Sequence, residues 1–453
     1  MEVFAGAYGD KRRAAAISRL SERIVACGSL VVRELGGDRK GELAAHRVLD
    51  SAHVAPGETV RYVARRTAAA CVGRRIVVAQ DTTETSYFGY RDRGLGGAGR
   101  DGQTPGFFIH AAVAVDAETE AMLGLVDARI WTRRGKAKAR RQRAFLAKES
   151  ARWLCAAQHA RERLDGAALI VVGDRENDIY EVFAGRPANT ELIVRAAQDR
   201  RLADGGKLFA APEQWPELDR QQVRVPSRGP GDKGRIATVS LRAGRVRVCQ
   251  PLHGRRSALA EVELTLVEAI EIAPPRGAKP LLWRLLTTLP AGTAADAAEV
   301  VRLYRLRWRI EQTFRMLKSD GLKLEQCQTY TPWRLFNLAA LALHGAVRII
   351  QLADARDGST RPAEDVASQA EITAAAALGP SLEGNTDRQR NPHPPATLSW
   401  LTWIVSRLGG WNCYYKPPGP KTIRRDWDRL ATLAQGFTLG CSLASMEKNV
   451  RIP

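Results

Sequence analysis

Cysteine is sparse and scattered in this 453-residue chain. Cys27, Cys71, Cys155, Cys249, Cys327, Cys413 and Cys441 form neither a C-x-x-C pair nor an even framework, which argues against a disulfide scaffold and a thiolate zinc site. Long hydrophobic runs are lacking too. The nearest approach, residues 336–353, is broken by Asn337, His344, Arg348 and Gln351, and reads as a buried helix rather than a membrane span. No apolar segment follows the early charges Asp10, Lys11, Arg12 and Arg13, so no secretory signal is visible and a cytoplasmic location is expected. The glycine-rich stretch 94–102 carries no Lys-Ser or Lys-Thr, which excludes a phosphate loop of the nucleotide-binding kind and leaves a flexible substrate-side loop. Acidic residues are in deficit: 49 Asp plus Glu face 69 Lys plus Arg, for a formal charge of +20. Such an excess calls for a polyanionic partner. Nucleic acid is the first expectation because neutralising phosphates releases counterions, with an anionic membrane surface the weaker alternative.

The length suggests about two to four domains at roughly 150 residues each. Residues 1–67 have helical spacing, with Ile17, Leu20, Ile24 and Val25 on one stripe and Arg12, Arg13, Arg19 and Arg23 elsewhere. They read as a helical module whose basic face contacts DNA or is merely solvated. From Arg74 the texture turns to β. Residues 76–79 are apolar and end at Gln80-Asp81, runs at 107–115 and 122–130 follow, 140–163 has helical periodicity, and 169–172 is a further buried run ending at Gly173-Asp174. A three-strand meander with a helical crossover predicts a mixed sheet in which the first and fourth strands are parallel neighbours, with Asp81 and Asp174 at matching ends. That order resembles the ribonuclease-H-like fold. Residues of about 192–285 alternate apolar and polar and predict an inserted antiparallel β-sheet; 294–321 and 335–353 predict helices; 354–395 reads as a linker containing a short helix; 396–453 reads as a C-terminal helical module.

The most informative segment is 301–318, VRLYRLRWRIEQTFRMLK. Leu303, Leu306, Ile310, Phe314 and Leu317 form a core stripe on an ideal helix. Beside it Tyr304, Arg307, Glu311 and Lys318, at offsets 0, 3, 7 and 14, project within about 60° of one another. A carboxylate flanked by cations on one edge suits a phosphate and metal surface, although Arg307 and Glu311 at i,i+4 also suit an ordinary ion pair. Asp81 and Asp174 each end an apolar strand, where a turn or cap role is the bland alternative. Together with Glu311 they supply hard oxygen ligands from three elements, as phosphodiester chemistry with two cations requires.

These residues resemble the bacterial DDE transposases of insertion-sequence family four, the group containing the Tn-five transposase, through most of the chain. Gly9-Asp10-Lys11-Arg12-Arg13 and Ala44-Ala45-His46-Arg47-Val48-Leu49 are similar to the family's N-terminal DNA-binding module. Gln80-Asp81-Thr82-Thr83 resembles its first-aspartate motif, and Asp174-Arg175-Glu176-Asn177-Asp178-Ile179 its second. Tyr304, Arg307, Glu311 and Lys318 match the Y-(2)-R-(3)-E-(6)-K signature at every spacing, and 417–437 resembles the C-terminal region. The resemblance implies an α/β, ribonuclease-H-like mixed-sheet catalytic core at 68–353, flanked by the N- and C-terminal helical modules. It implies Asp81, Asp174 and Glu311 as catalytic triad and ligands of two Mg²⁺ ions, with Mn²⁺ as substitute. Tyr304, Arg307 and Lys318 would grip phosphates, Trp283 would stack on a flipped base beside a hairpin-sealed DNA end, and Arg195, Arg12 and Arg13 would be further DNA contacts. The implied partners are double-stranded DNA, both terminal inverted repeats and target, and a second copy of the chain in a homodimer on two ends, with Leu401, Ile404, Val405 and Leu408 as the dimer stripe. No membrane is implied, and the setting is bacterial cytoplasm at the nucleoid. The rival readings are a stand-alone metal-dependent nuclease and a catalytically silent DNA-binding regulator.

Overall fold

The computed structural model describes residues 3–87, 94–99, 102–133, 145–225, 234–252, 259–329 and 331–449, the side chains of 357 and 442–449 excepted. Four helices, α1 (Lys11–Cys27), α2 (Val32–Gly36), α3 (Arg39–Asp50) and α4 (Pro56–Cys71), precede the first strand. Then come β1 (Arg75–Ser86), β2 (Gly97–Ala98), β3 (Thr104–Asp116), β4 (Met122–Trp131), α5 (Arg152–Arg163), β5 (Ala168–Gly173), α6 (Tyr180–Ala184) and β6 (Thr190–Arg195). Strands β7 (Asp219–Val225), β8 (Arg235–Cys249), β9 (Glu261–Glu271) and β10 (Leu282–Thr287) follow, and the helices α7 (Ala294–Arg305), α8 (Trp308–Arg315), α9 (Pro332–Asp354), α10 (Gln369–Leu382), α11 (Leu398–Leu408) and α12 (Pro420–Asn449) close the chain.

All strands among the described residues belong to one ten-stranded sheet, ordered β2-β3-β1-β5-β6-β10-β9-β8-β7 with β4 also on β3. The apolar runs of β1 and β5 are buried on both faces, and only such strands can occupy the middle of a sheet covered on both sides. They are parallel neighbours, as their sequence pattern predicts, and β5 is also parallel to β6. On one face Val77, Ala79, Ile109 and Ala111 share a core with Ile310 of α8 and Leu338 of α9; on the other, Ile76, Val78 and Ala112 pack on Trp153 and Ala157 of α5. Strands β7 to β9 are antiparallel, but they do not form a sheet of their own: β10 pairs with both β9 and β6, joining them to the core sheet.

Three sequence expectations change. The helix expected across 140–163 begins at Arg152, after two short 3₁₀ turns, and residues 134–144 lie outside the described residues. The helix expected across 294–321 is divided. Leu306 and Arg307 close tight i→i−3 bonds to Leu303 and Tyr304, and Met316–Asp320 is a π-helical turn. Overwinding followed by underwinding rotates the later side chains away from the ideal 100° step. The apolar stripe of α11 is not a free surface either, for Leu401, Ile404 and Val405 are fully buried against the protein's own α10 and α12. Of the loop 94–102, Gly97–Ala98 pairs with β3, while residues 100–101 lie outside the described residues. Helix α9 is long and apolar enough to cross a membrane, yet it is buried against α1, α4 and β4.

Candidate active site

The register of β1 and β5 decides where the first two acids stand. Ala79 pairs with Val172, and Asp81 and Asp174 each lie two residues further along, at the same end of the two parallel strands. Asp81 remains in β1 opposite Ala111 of β3, and its carboxylate accepts a hydrogen bond from the Thr82 amide at 2.7 Å. Asp174 leaves the sheet and caps the turn Arg175–Asn177, accepting from the Glu176 amide at 2.9 Å. Gly173 permits that turn, because a Cβ there would meet the Asn177 side chain at 2.3 Å. The cap role foreseen as the bland alternative is thus present, and it also aims the carboxylate.

Glu311 comes from α8, which packs across β1 and β3. Arg307, at the 3₁₀ junction before it, donates to Asp81 at 3.0 Å and to Glu311, bridging the two. Burial pushes the Asp81 carboxyl up to about 7; the neighbouring Asp174 and Glu311 carboxylates add to the rise, while Arg307 and the Thr82 amide oppose it. Burial works against the Arg307 charge, but Tyr304, Glu311 and Asp81 raise its pKa overall.

Next to this cluster Tyr304 is buried rather than displayed on the surface, its ring edge-on to Trp283 with centroids 5.5 Å apart. Trp283 itself is half-buried. Arg195, half-buried near Tyr304, donates to the Leu282 carbonyl at 2.9 Å. Lys318 meets the strand of Asp81 further along. From the π-turn its ammonium reaches the Glu84 carbonyl at 2.5 Å and Glu325 at 3.2 Å, three residues along β1 from Asp81. Arg12 is exposed on the first turn of α1, and Arg13 is tied to the Tyr8 carbonyl; neither touches the acidic cluster among the described residues.

The carboxylate set suits a hard divalent cation. Asp81 supports that fit, since a buried carboxylate with Asp174 and Glu311 as charged neighbours lies where a cation would offset both the burial and the like charges. Among the described residues no three acidic, His or Cys side chains are closed to metal-holding distance; Arg307 bridges two of the three instead.

Sequence reasoning gave Asp178 no role. It is buried and accepts hydrogen bonds from the amides of Ala197 and Gln198 at 2.7 and 2.9 Å and from Arg200 Nε at 2.9 Å, pinning the Asp174 turn to the chain after β6. The motif around Asp174 was the available signal, but its partner Arg200 lies 22 residues away with no periodic relation.

Acids stand at the matching ends of two parallel strands, faced by a helix that supplies a third, in a chain of charge +20. Residues 97–346 match the family model of the transposase DDE domain, more than half of the chain, and the chain belongs to that family. Membership brings a ribonuclease-H-like fold, DNA as substrate, transposition chemistry and the use of divalent metals. Asp174 and Glu311 fall inside the matched span and Asp81 before it.

A pH effect follows from Asp81. With its folded pKa above the unfolded value of about 4, the folded metal-free protein retains a proton that the unfolded chain releases. The Asp81 contribution to stability therefore falls as pH rises from about 4 to about 7 and is level above that. Thermal melts in chelator at pH 5 and pH 8 should show Asp81→Asn gaining on the wild type at the higher pH; equal gaps at both would contradict it.

Proposed function

We propose that the protein is a cut-and-paste DNA transposase of insertion-sequence family four, with Asp81, Asp174 and Glu311 as its reacting centre. The observation that carries the reading is the bridging of strand-end Asp81 and helix Glu311 by Arg307, with Asp174 at the matching end of the neighbouring parallel strand. Two Mg²⁺ ions, or Mn²⁺ in their place, held by these carboxylates would supply electrostatic stabilisation of the attacking and leaving oxygens. Arg307 turns from the carboxylates to the scissile phosphate, and Lys318 holds a phosphate further along the strand. Tyr304 and Arg195 support Trp283 beneath an extruded base.

In the first step water attacks the phosphodiester at the element's end, the bond to the 3′ oxygen breaks, and a free 3′-hydroxyl remains. That hydroxyl attacks the facing phosphodiester of the opposite strand, the flanking DNA leaves with its 3′ oxygen, and a hairpin closes; a second hydrolysis breaks the new P–O bond and restores the 3′-hydroxyl. The same hydroxyl then attacks a target phosphodiester and displaces a target 3′ oxygen. Residues 1–67, with Arg12 and Arg13, bind the element's ends, 68–353 form the catalytic unit, 354–395 link it to 396–453, and the active species is a dimer holding two ends. The buried α11 stripe cannot serve that contact, so Leu433 and Phe437, exposed one turn apart on α12, take its place. The protein works in the cytoplasm on nucleoid DNA.

The test uses DNA ends taken from the inverted repeats beside the gene, with Mg²⁺. The wild type should nick and then form hairpins. Trp283→Ala should lose roughly 1–3 kcal/mol of stacking, so that hairpin formation drops about 5- to 150-fold while nicking changes little. Equal loss of both steps with a lowered melting temperature would make Trp283 a packing residue and overturn the hairpin assignment.

A further inference from the structure

We propose that Arg152 is a positioning residue that ties together the strand end and the turn that aim Asp81 and Asp174. The inference rests on the reading of those carboxylates as the reacting centre. Arg152 opens α5, on the face of the sheet opposite α8. Side chains alternate along β1, so Asp81 faces α8 and Thr82 faces α5. Arg152 Nε donates to Thr82 Oγ1 at 3.0 Å, and the Thr82 amide donates to Asp81. Its Nη2 donates to Glu176 at 2.8 Å, and the Glu176 amide donates to Asp174. One guanidinium thus reaches both aspartates from behind, each through one backbone amide.

The two links are not incidental surface pairs. The Glu176 side chain is 63% exposed, and that ion pair alone contributes little, but the Arg152 side chain is only 12% exposed and its cation lies 5.4 Å from the Trp153 ring. Thr82 Oγ1 is also 3.0 Å from Nδ1 of the buried His110, whose ring stacks edge-on to Trp153. The Thr82 hydroxyl accepts from Arg152 and is hydrogen-bonded to His110 Nδ1, so two partners hold it in place. A lysine would replace the rigid guanidinium fork, which reaches two diverging partners from Nε and Nη2, with a single flexible point charge.

Groups that orient metal ligands are worth about 10–100-fold in metal affinity. Mn²⁺ binding to the full-length, DNA-free protein, followed by electron paramagnetic resonance, should weaken about tenfold in Arg152→Gln and less in Arg152→Lys. Element-end DNA binding should stay unchanged, and the half-saturating Mg²⁺ for cutting should rise in parallel. Thr82→Val removes one of the two links with almost no change of shape. It should weaken Mn²⁺ binding in the same direction and be less than additive with Arg152→Gln, and it carries the test if Arg152→Gln melts early. Wild-type Mn²⁺ affinity in Arg152→Gln or, should that variant melt early, in Thr82→Val, while Asp81→Ala loses it, overturns the positioning role alone. Wild-type affinity in Asp81→Ala would instead overturn the metal-site reading on which it rests.

Discussion

Asp174→Ala should abolish Mg²⁺-dependent cleavage, by on the order of 10³-fold or more, while binding of element-end DNA stays within about twofold of wild type. Binding rests on many basic contacts in a chain of charge +20, none of which Asp174 makes. Within the fold its carboxylate caps a single turn through the Glu176 amide, a loss of about 1 kcal/mol. The protein should therefore remain folded and inactive. Asp81→Ala and Glu311→Ala should behave alike, and each also releases one of the two carboxylates that Arg307 bridges. Gel-shift and cleavage assays on the same DNA separate the two effects. An Asp174→Ala protein that still cuts would remove this carboxylate from the reaction.

Four residues further on, Asp178→Ala should act on stability. Its carboxylate is the only acidic partner of buried Arg200 among the described ion pairs, and truncation leaves that guanidinium uncompensated, a cost of about 3–5 kcal/mol. Denaturant unfolding should show the loss, and replacing both residues together with apolar side chains of similar volume should recover much of it. Wild-type stability in Asp178→Ala would mean that the pair adds nothing to the fold. The contrast between Asp174 and Asp178 lies in burial: the first is half-exposed at a strand end, the second enclosed by donors.

The parallel placement of Asp81 and Asp174 was legible in the sequence because an apolar run without alternation marks a central strand, and an acid at its end marks where the strand leaves the core. The pairing of Arg307 with Glu311 was legible from i,i+4 spacing. The course of Lys318 was not. No glycine or proline interrupts residues 294–320 to mark the 3₁₀ junction or the π-turn. Periodicity found the apolar stripe of α11 but could not say that α10 and α12 cover it. Nor do pairs as distant as Arg152 with Thr82, or Asp178 with Arg200, leave a local pattern, since register and crossovers bring them together. The continuous ten-stranded sheet escaped for the same reason: alternation in β7 to β9 reveals strands, not which edge they join.

The central claim is that one acidic site both cuts DNA and joins it. The most direct measurement mixes the protein, Mg²⁺ and a linear DNA carrying the element's two ends with a supercoiled target plasmid, and follows labelled ends on a denaturing gel. The account predicts target strands carrying covalently attached element ends, absent with Glu311→Ala. Cut ends that never become joined to target, under conditions where cutting is complete, would contradict it and mark the protein as a nuclease.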